Sequence, residues 1–353
     1  MSIRTVRGRL FAALLACTLA LAGTAAAQAP SCETDRPLVL ADLGYDSQQI
    51  LTEAVRTILE EGFGCTTTTI QGNTLPMLQG AIRGDIDIYV EMWTDNVPDF
   101  WTDAVAAGRV AQLSAVFDDA TQGFYVPRYL VEGDAERGIE AQAPDLRHVD
   151  DLPQYAHLFR DPEQPDKGRF YNCIIGWVCE DINNVKLHVY GLDEHFTNFR
   201  PGTGVALATT METAYLRGEP WVGYYWEPTR VLGALDMIRL EEPPYSDACW
   251  DHVNAHADTP ERATMACAYP DSEAVVALGS RFTDDVPADI LTFLDGVHAP
   301  SAVVSELLAL MEESNASPAE VARSFLADDP EAWTFWLDGL DGIYLERVRA
   351  SLD

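Results

Sequence analysis

Trp93, Trp177 and Trp226 lie in three separated segments: Glu91-Met92-Trp93-Thr94, Gly176-Trp177-Val178-Cys179 and Tyr224-Tyr225-Trp226-Glu227-Pro228. Each stands beside an expected strand end or tight turn. Indole faces that converge from distant segments form a box whose ring quadrupoles attract a methylated ammonium, a cation too well shielded for ordinary hydrogen bonding. The three tryptophans are therefore candidate walls of such a box, and Tyr45, at the end of the turn Asp42-Leu43-Gly44-Tyr45, is a candidate fourth wall. Asp46, Glu91, Asp95 and Glu227 border these positions and offer negative charge or a hydroxyl acceptor.

The remaining tryptophans read differently. Trp333 and Trp336, with Leu337, form an apolar stripe expected in the core, Trp101 and Trp221 read as packing residues, and Trp250 beside Cys249 stays open. Enzymatic signatures are missing from the chain: there is no G-x-S-x-G elbow, no H-E-x-x-H and no phosphate loop. The abundant carboxylates show no pair whose spacing suits acid/base work. An exported enzyme, or a carbohydrate binder that stacks sugars on aromatic platforms, is the alternative class. No cofactor is expected.

The chain carries 23 basic and 56 acidic residues, a formal net charge of −33, and three of the basic residues, Arg4, Arg7 and Arg9, belong to its first nine positions. Such a charge excludes nucleic acid as a partner by repulsion. The same arginines precede an apolar run from Leu10 to about Ala22, and Ala25-Ala26-Ala27 supplies small residues for cleavage, which is the layout of a secretory signal over residues 1–27. The run is short for a membrane span. Leu14-Leu15-Ala16-Cys17 loosely matches a lipid-attachment box, but the apolar stretch continues past Cys17. The expected product is an exported, periplasmic protein without a membrane helix.

Seven cysteines become six once Cys17 leaves with the signal, and an even number in an oxidising compartment points to disulfides. Sequence separation favours local bridges: Cys32 with Cys65, Cys173 with Cys179, and Cys249 with Cys267. The middle pair would brace the loop that presents Trp177. Cys249, His252, His256 and Cys267 also give C-x2-H-x3-H-x10-C, a loose imitation of a zinc spacing, but export favours the disulfide and no metal is expected.

These residues need elements to hold them. Pro37 to Ala41 reads as a strand, and a helix follows from Asp46, with Asp46 and Gln49 as a capping box and Ile50, Leu51, Ala54, Val55, Ile58 and Leu59 at helical spacing until Gly62. A second helix covers Leu75 to Arg83. Ile86, Ile88, Val90 and Met92 then alternate as a strand that ends at Trp93. Helices are expected near Asp181 to Tyr190 and Met211 to Arg217, a strand at Trp221 to Tyr225, and a loop-like stretch from Trp226 through Cys267. Ser301 reads as the cap of Ala302 to Glu313, Ser317-Pro318-Ala319-Glu320 as a capping box, and Asp329-Pro330 as a further helix start. Strands alternating with helices give an α/β protein, and roughly 325 residues after Ala27 suit two lobes better than one domain.

The run Leu78 to Trp93 with Gly84-Asp85-Ile86-Asp87, the segment Cys173 to Cys179 around Gly176-Trp177, the Tyr225-Trp226-Glu227-Pro228 element and the stretch Val303 to Leu337 together resemble the glycine betaine/choline-binding proteins of ABC importers. The resemblance covers nearly all of the chain after the signal. It implies a two-lobed periplasmic binding fold of type II-like form with a ligand cleft between the lobes: 31–123 as the first part of lobe 1, 124–230 as an inserted lobe 2, and 231–353 completing lobe 1. It implies a monomer that binds a quaternary ammonium or methylated osmolyte and docks on an ABC permease. Trp93, Trp177 and Trp226 match the enclosing indoles, Tyr45 a further wall, and Tyr125 a weaker candidate for the same cage. The backbone N–H groups of Val178 and Cys179 match those that receive a carboxylate in betaine-binding relatives. The chain departs from the pattern at Val178, where several relatives have glycine, and at Val97, where some have histidine.

Overall fold

The computed structural model describes Cys32 and residues 34–352, so the signal segment 1–27 and the lipid-box alternative at Cys17 lie outside the described residues. Among the described residues nine strands form one sheet: β1 Leu38–Asp42, β2 Thr67–Gln71, β3 Ile88–Trp93, β4 Ala111–Pro127, β5 Gly168–Tyr171, β6 Phe196–Phe199, β7 Gly223–Glu227, β8 Met237–Arg239 and β9 Ser272–Leu278. Their order is β2-β1-β3-β9-β4-β7-β5-β6, with β8 on the side of β4.

β4 explains how one chain makes two bodies. Its first part, Ala111 to Ala120, pairs antiparallel with β9, and its second part, Thr121 to Tyr125, pairs antiparallel with β7. On the first side, β1, β2 and β3 run parallel and enclose a core that includes Leu40, Ile50, Leu51, Ile88 and Val276. On the second side, β5, β6 and β7 run parallel around Phe124, Phe170, Ile182, Leu207 and Met211. Each core is flanked by helices whose apolar stripes were visible as spacing; helix Asp46–Thr57 buries Ile50, Leu51, Ala54 and Val55 and continues through a wider turn, Ile58–Gly62.

The apolar side chains of residues 231–269 belong to the second core. Val231, Leu232, Leu240, Trp250, Val253, Cys267 and Tyr269 all join the second core, and the chain re-enters the first sheet only at β9. The stretch is also less loop-like than its composition suggests, because it contains β8 and the helix Asp247–Ala255, capped by Ser246.

Three expected caps are corrected. Asp46 is the first helical residue and makes no capping box: its carboxylate faces Arg230 at 3.9 Å, and the Gln49 amide donates to Asp42 Oδ1 at 3.0 Å. Ser301 is likewise inside its helix, Ser301–Ser314, with Pro300 preceding it. Asp329-Pro330 opens only a short 3-10 turn, Pro330–Ala332. The Ser317 capping box forms as expected, with Pro318 as the first helical residue.

The disulfides are Cys32–Cys65, Cys173–Cys179 and Cys249–Cys267, so the zinc-like spacing is occupied by a covalent bridge. Trp101, Trp221, Trp333 and Trp336 are fully buried core residues. Trp250 is buried too, and its indole N–H donates to the backbone oxygen of Asp95 on the other body at 2.9 Å. Among the described residues, no helix is long and apolar enough to cross a membrane.

Candidate ligand-binding site

Four aromatic side chains from four strand ends meet at one cavity. Tyr45 follows β1, Trp93 ends β3, Trp177 follows β5 and Trp226 is the penultimate residue of β7. In open α/β sheets the space beyond the carboxyl ends of strands is where ligands gather, because loops there are free to vary while the sheet fixes their roots. All four walls obey that rule, two from each body. The cavity measures about 60 Å³ and is lined by these four rings together with Thr74, Tyr89, Gln122, Val178, Cys179 and Tyr224.

Three of the rings stand nearly at right angles to one another. Tyr45 and Trp177 have centroids 5.8 Å apart with planes at 81°, Tyr45 and Trp226 are 6.0 Å apart at 81°, and Trp177 and Trp226 are 5.3 Å apart at 85°. Three mutually perpendicular planes make the corner of a box. A compact cation in that corner meets faces on several sides, within the roughly 6 Å reach of a cation–π contact. A water-sized body needs on the order of 10–15 Å³ of such space, so the cavity takes about four to six, the scale of a trimethylammonium group.

Each wall has a local reason for its position. Trp177 sits between Gly176 and the helix Val178–Val189, in a loop tied by Cys173–Cys179. Gly176 has φ +95°, which favours glycine, and a Cβ there would lie 2.7 Å from the Asn73 amide. Asn73 Nδ2 donates to Ile175 O at 2.9 Å and the Leu75 N–H to Gly176 O at 3.2 Å, so this loop is docked on the opposite body. Gly204 leaves room for the indole; a Cβ there would lie 2.9 Å from Trp177. Trp226 stacks on Tyr225 at 4.7 Å, and Trp93 packs edge-on against Phe117 at 5.7 Å.

Behind Tyr45 and Trp93 lies Glu91, fully buried on β3. The pairing of β3 with β9 slips between Tyr89 and Met92, and Glu91 adopts φ +60°, an unusual value for a side-chain-bearing residue in a strand. Its Oε1 accepts from Ser47 Oγ at 2.9 Å and from Trp93 Nε1 at 3.3 Å, and its backbone oxygen accepts from the Tyr45 hydroxyl at 3.2 Å. Oε2 is buried with no hydrogen-bond partner among the described residues. Burial pushes the carboxyl up to about 8, with only the Ser47 and Trp93 bonds opposing the rise. Burial likewise raises the Tyr45 hydroxyl, aided by the neighbouring Glu91 carboxyl.

The opposite end of the cavity is rich in donors. Val178 and Cys179 are the first residues of helix Val178–Val189, where main-chain N–H groups have no intrahelical acceptor, and no side chain caps that end. Trp177 Nε1 is buried and unpartnered among the described residues. The floor is fixed by a relay in which Tyr224 donates to Gln122 Oε1 at 2.6 Å and Gln122 Nε2 donates to Ser272 Oγ at 3.0 Å.

The structure thus brings together Tyr45, Trp93, Trp177, Val178, Cys179 and Trp226. It does not bring Tyr125: that residue is buried on β4 opposite Gly223 and lies outside the cavity, because the alternation that presents Gln122 to the cavity puts Tyr125 on the other face of the strand, where it packs in the second core. Tyr89, Tyr224, Gln122 and Thr74 were missed. Tyr89 had a signal, since it shares strand parity with Glu91 and Trp93, and Tyr224 neighbours Trp226; Gln122 and Thr74 had none. Of the acidic neighbours, Glu227 is exposed and accepts from Thr121 at 2.9 Å, and Asp46 engages Arg230.

The substrate-binding domain of ABC-type glycine betaine transport systems is the family whose model matches this chain, over residues 36–328. Among solved structures, the fold is similar to an ABC-transporter choline binding protein in complex with choline, at TM-score 0.67 and 16% identity over 90% of this chain and 98% of that one. A glycine betaine/L-proline-binding protein from Borrelia burgdorferi matches at TM-score 0.67 and 15% identity over 89% and 100% of the two chains. The lactococcal OpuAC in its closed-liganded conformation with glycine betaine matches at TM-score 0.62 and 15% identity over 86% and 100%. These likenesses extend the two-lobed α/β fold to this chain.

Proposed function

The chain belongs to the family of substrate-binding domains of ABC-type glycine betaine transport systems, and from that premise we propose that it captures a quaternary ammonium or related methylated osmolyte between its lobes and hands it, as a periplasmic monomer, to an ABC permease. The observation that carries this reading is the perpendicular corner of Tyr45, Trp177 and Trp226, with Trp93 on the same cavity. The ligand leaves chemically unchanged. We place lobe 1 at residues 34–120 and 271–352 and lobe 2 at 121–270, in keeping with where β4 changes partners and where residues 231–269 pack.

Magnitudes support a two-part site. Each desolvated cation–π wall is worth about 0.5–2 kcal/mol, so four walls supply roughly 2–8 kcal/mol before ordering costs. Micromolar binding needs about 8 kcal/mol. The head cage therefore needs help, and the Val178 and Cys179 amides with Trp177 Nε1 suit an oxygen-bearing tail such as a carboxylate or hydroxyl.

Calorimetric titration of ligand-free protein with glycine betaine, choline, carnitine, trimethylamine N-oxide and dimethylsulfoniopropionate tests the proposal. At least one should bind with micromolar or tighter affinity and be recovered intact. Silence with all five contradicts it.

A further inference from the structure

We propose that Glu91 is the counter-charge of the cage, exchanging its carboxyl proton for the permanent positive charge of a guest seated among Tyr45, Trp93, Trp177 and Trp226. The proposal rests on the cage reading and deepens it by naming what decides charge at the site.

Glu91 touches the walls without lining the cavity. It bonds Trp93 through Oε1 and Tyr45 through its backbone oxygen, so its charge acts on the guest through two rings and little water. Its second oxygen has nothing to satisfy it among the described residues, whereas the fully buried carboxylate of Asp87, just before β3, is held by Arg36 at 2.5 Å and 2.7 Å and by Arg281 at 3.5 Å. A buried carboxylate without a cation is costly and keeps its proton instead. A carboxyl kept neutral in this way is ready to ionise once a cation arrives.

The groups on the surrounding elements do not supply that cation. Asp42 lies on β1, Asp46 and Glu53 on helix Asp46–Thr57, Tyr89 on β3 itself, Asp95 in the following turn and Glu273 on β9; Tyr45 and Tyr224 face the cavity. Asp46 is turned to Arg230, and Arg36 and Arg281 are engaged by Asp87 at the far end of β3. The proton has a way out. Ser47, which donates to Glu91 Oε1, also lines an adjoining cavity of about 260 Å³; when the carboxyl turns its proton to the Ser47 side the hydroxyl accepts it and passes its own proton to water in that cavity.

The linkage has a definite sign. A guest cation favours the ionised carboxyl, binding releases a proton to the buffer, and affinity rises with pH between the bound-state and free-state ionisation points. Each unit of separation between those points is worth a tenfold change in affinity.

The test is titration calorimetry near pH 7 in two buffers of different ionisation heat, using choline, glycine betaine and the neutral choline isostere 3,3-dimethyl-1-butanol. For the wild type, a substantial fraction of a proton should be released with a cationic head and none with the isostere. The cation's Kd should fall roughly three- to tenfold from pH 6.5 to 8.5. Glu91→Gln retains an acceptor for Ser47 and Trp93, and should abolish both effects. Binding of choline or glycine betaine to the wild type with no proton release overturns the role of Glu91 and leaves the cage reading intact; this outcome needs no variant to fold. Failure of both cations to bind overturns the cage reading itself.

Discussion

Single side chains separate recognition from support. Trp177→Ala removes one cage face and a donor without a partner among the described residues, so ligand affinity should fall roughly three- to thirtyfold, the equivalent of a desolvated cation–π contact. Trp333→Ala, buried in the first core with its indole N–H donating to Leu326 O at 3.0 Å, should instead cost about 3–5 kcal/mol of stability and leave affinity intact in the folded fraction. Chemical denaturation and calorimetry on the two variants check both halves; equal affinity loss in each would contradict the division. Glu91 adds a pH signature to stability. Its carboxyl ionises near 4.5 when exposed and near 8 in the fold, so the unfolded chain loses the proton first and stability declines as pH rises through that window. Unfolding free energies measured from pH 5 to 8 should show the wild type losing ground to Glu91→Gln; parallel curves would refute a protonated Glu91.

At the scale of elements, the strand-end tryptophans and the three cysteine pairs were legible because local order fixes them. Ile88, Val90 and Met92 announce a strand whose end must be Trp93, and pairing of each cysteine with its neighbour in chain order gives the bridges. What resisted reading depends on contacts across the fold. Tyr125 looked like a wall because it is aromatic and near the crossover, yet pairing of β4 with β7 turns it away from the cavity. The bulge that buries Glu91 is a register slip against β9, which is distant in sequence. Residues 231–269 looked like a tail of the first lobe because their helix and short strand are weak in pattern, while their packing partners lie in the second core. The Trp177 loop yields a prediction of its own. Replacing Cys173 and Cys179 together with serine opens a bridge between residues six apart, so the loss in stability should be only about 2 kcal/mol by chain entropy. Affinity should drop as well, because Trp177 then has to be ordered on binding. Calorimetry and thermal unfolding of the double variant would show both, and unchanged affinity would mean the loop is held by Asn73 and Leu75 alone.

The whole molecule is two bodies joined by β4 and sewn across the cleft at separate points: Asn73 and Leu75 to the Trp177 loop, Trp250 to Asp95, and Arg230 to three carboxylates. Arg230 lies 2.6 Å from Glu212 of the second body, and 3.1 Å from Glu312 and 3.9 Å from Asp46 of the first. It follows Trp226 by four residues, so cage and clasp belong to one segment. In a chain of net charge −33, removing that cation leaves three acids facing one another. Arg230→Ala should therefore speed ligand dissociation by roughly five- to thirtyfold, with a smaller effect at high salt. Stopped-flow release at two ionic strengths would detect it, and an unchanged rate would remove the clasp from the closing mechanism. Whether four aromatic walls from the two lobes enclose a methylated cation is decided by the structure of the protein co-crystallised with its best-binding quaternary ammonium. The quaternary nitrogen should lie within roughly 6 Å of the ring centroids of Tyr45, Trp93, Trp177 and Trp226; a nitrogen seated elsewhere, with that corner empty, rules the cage out.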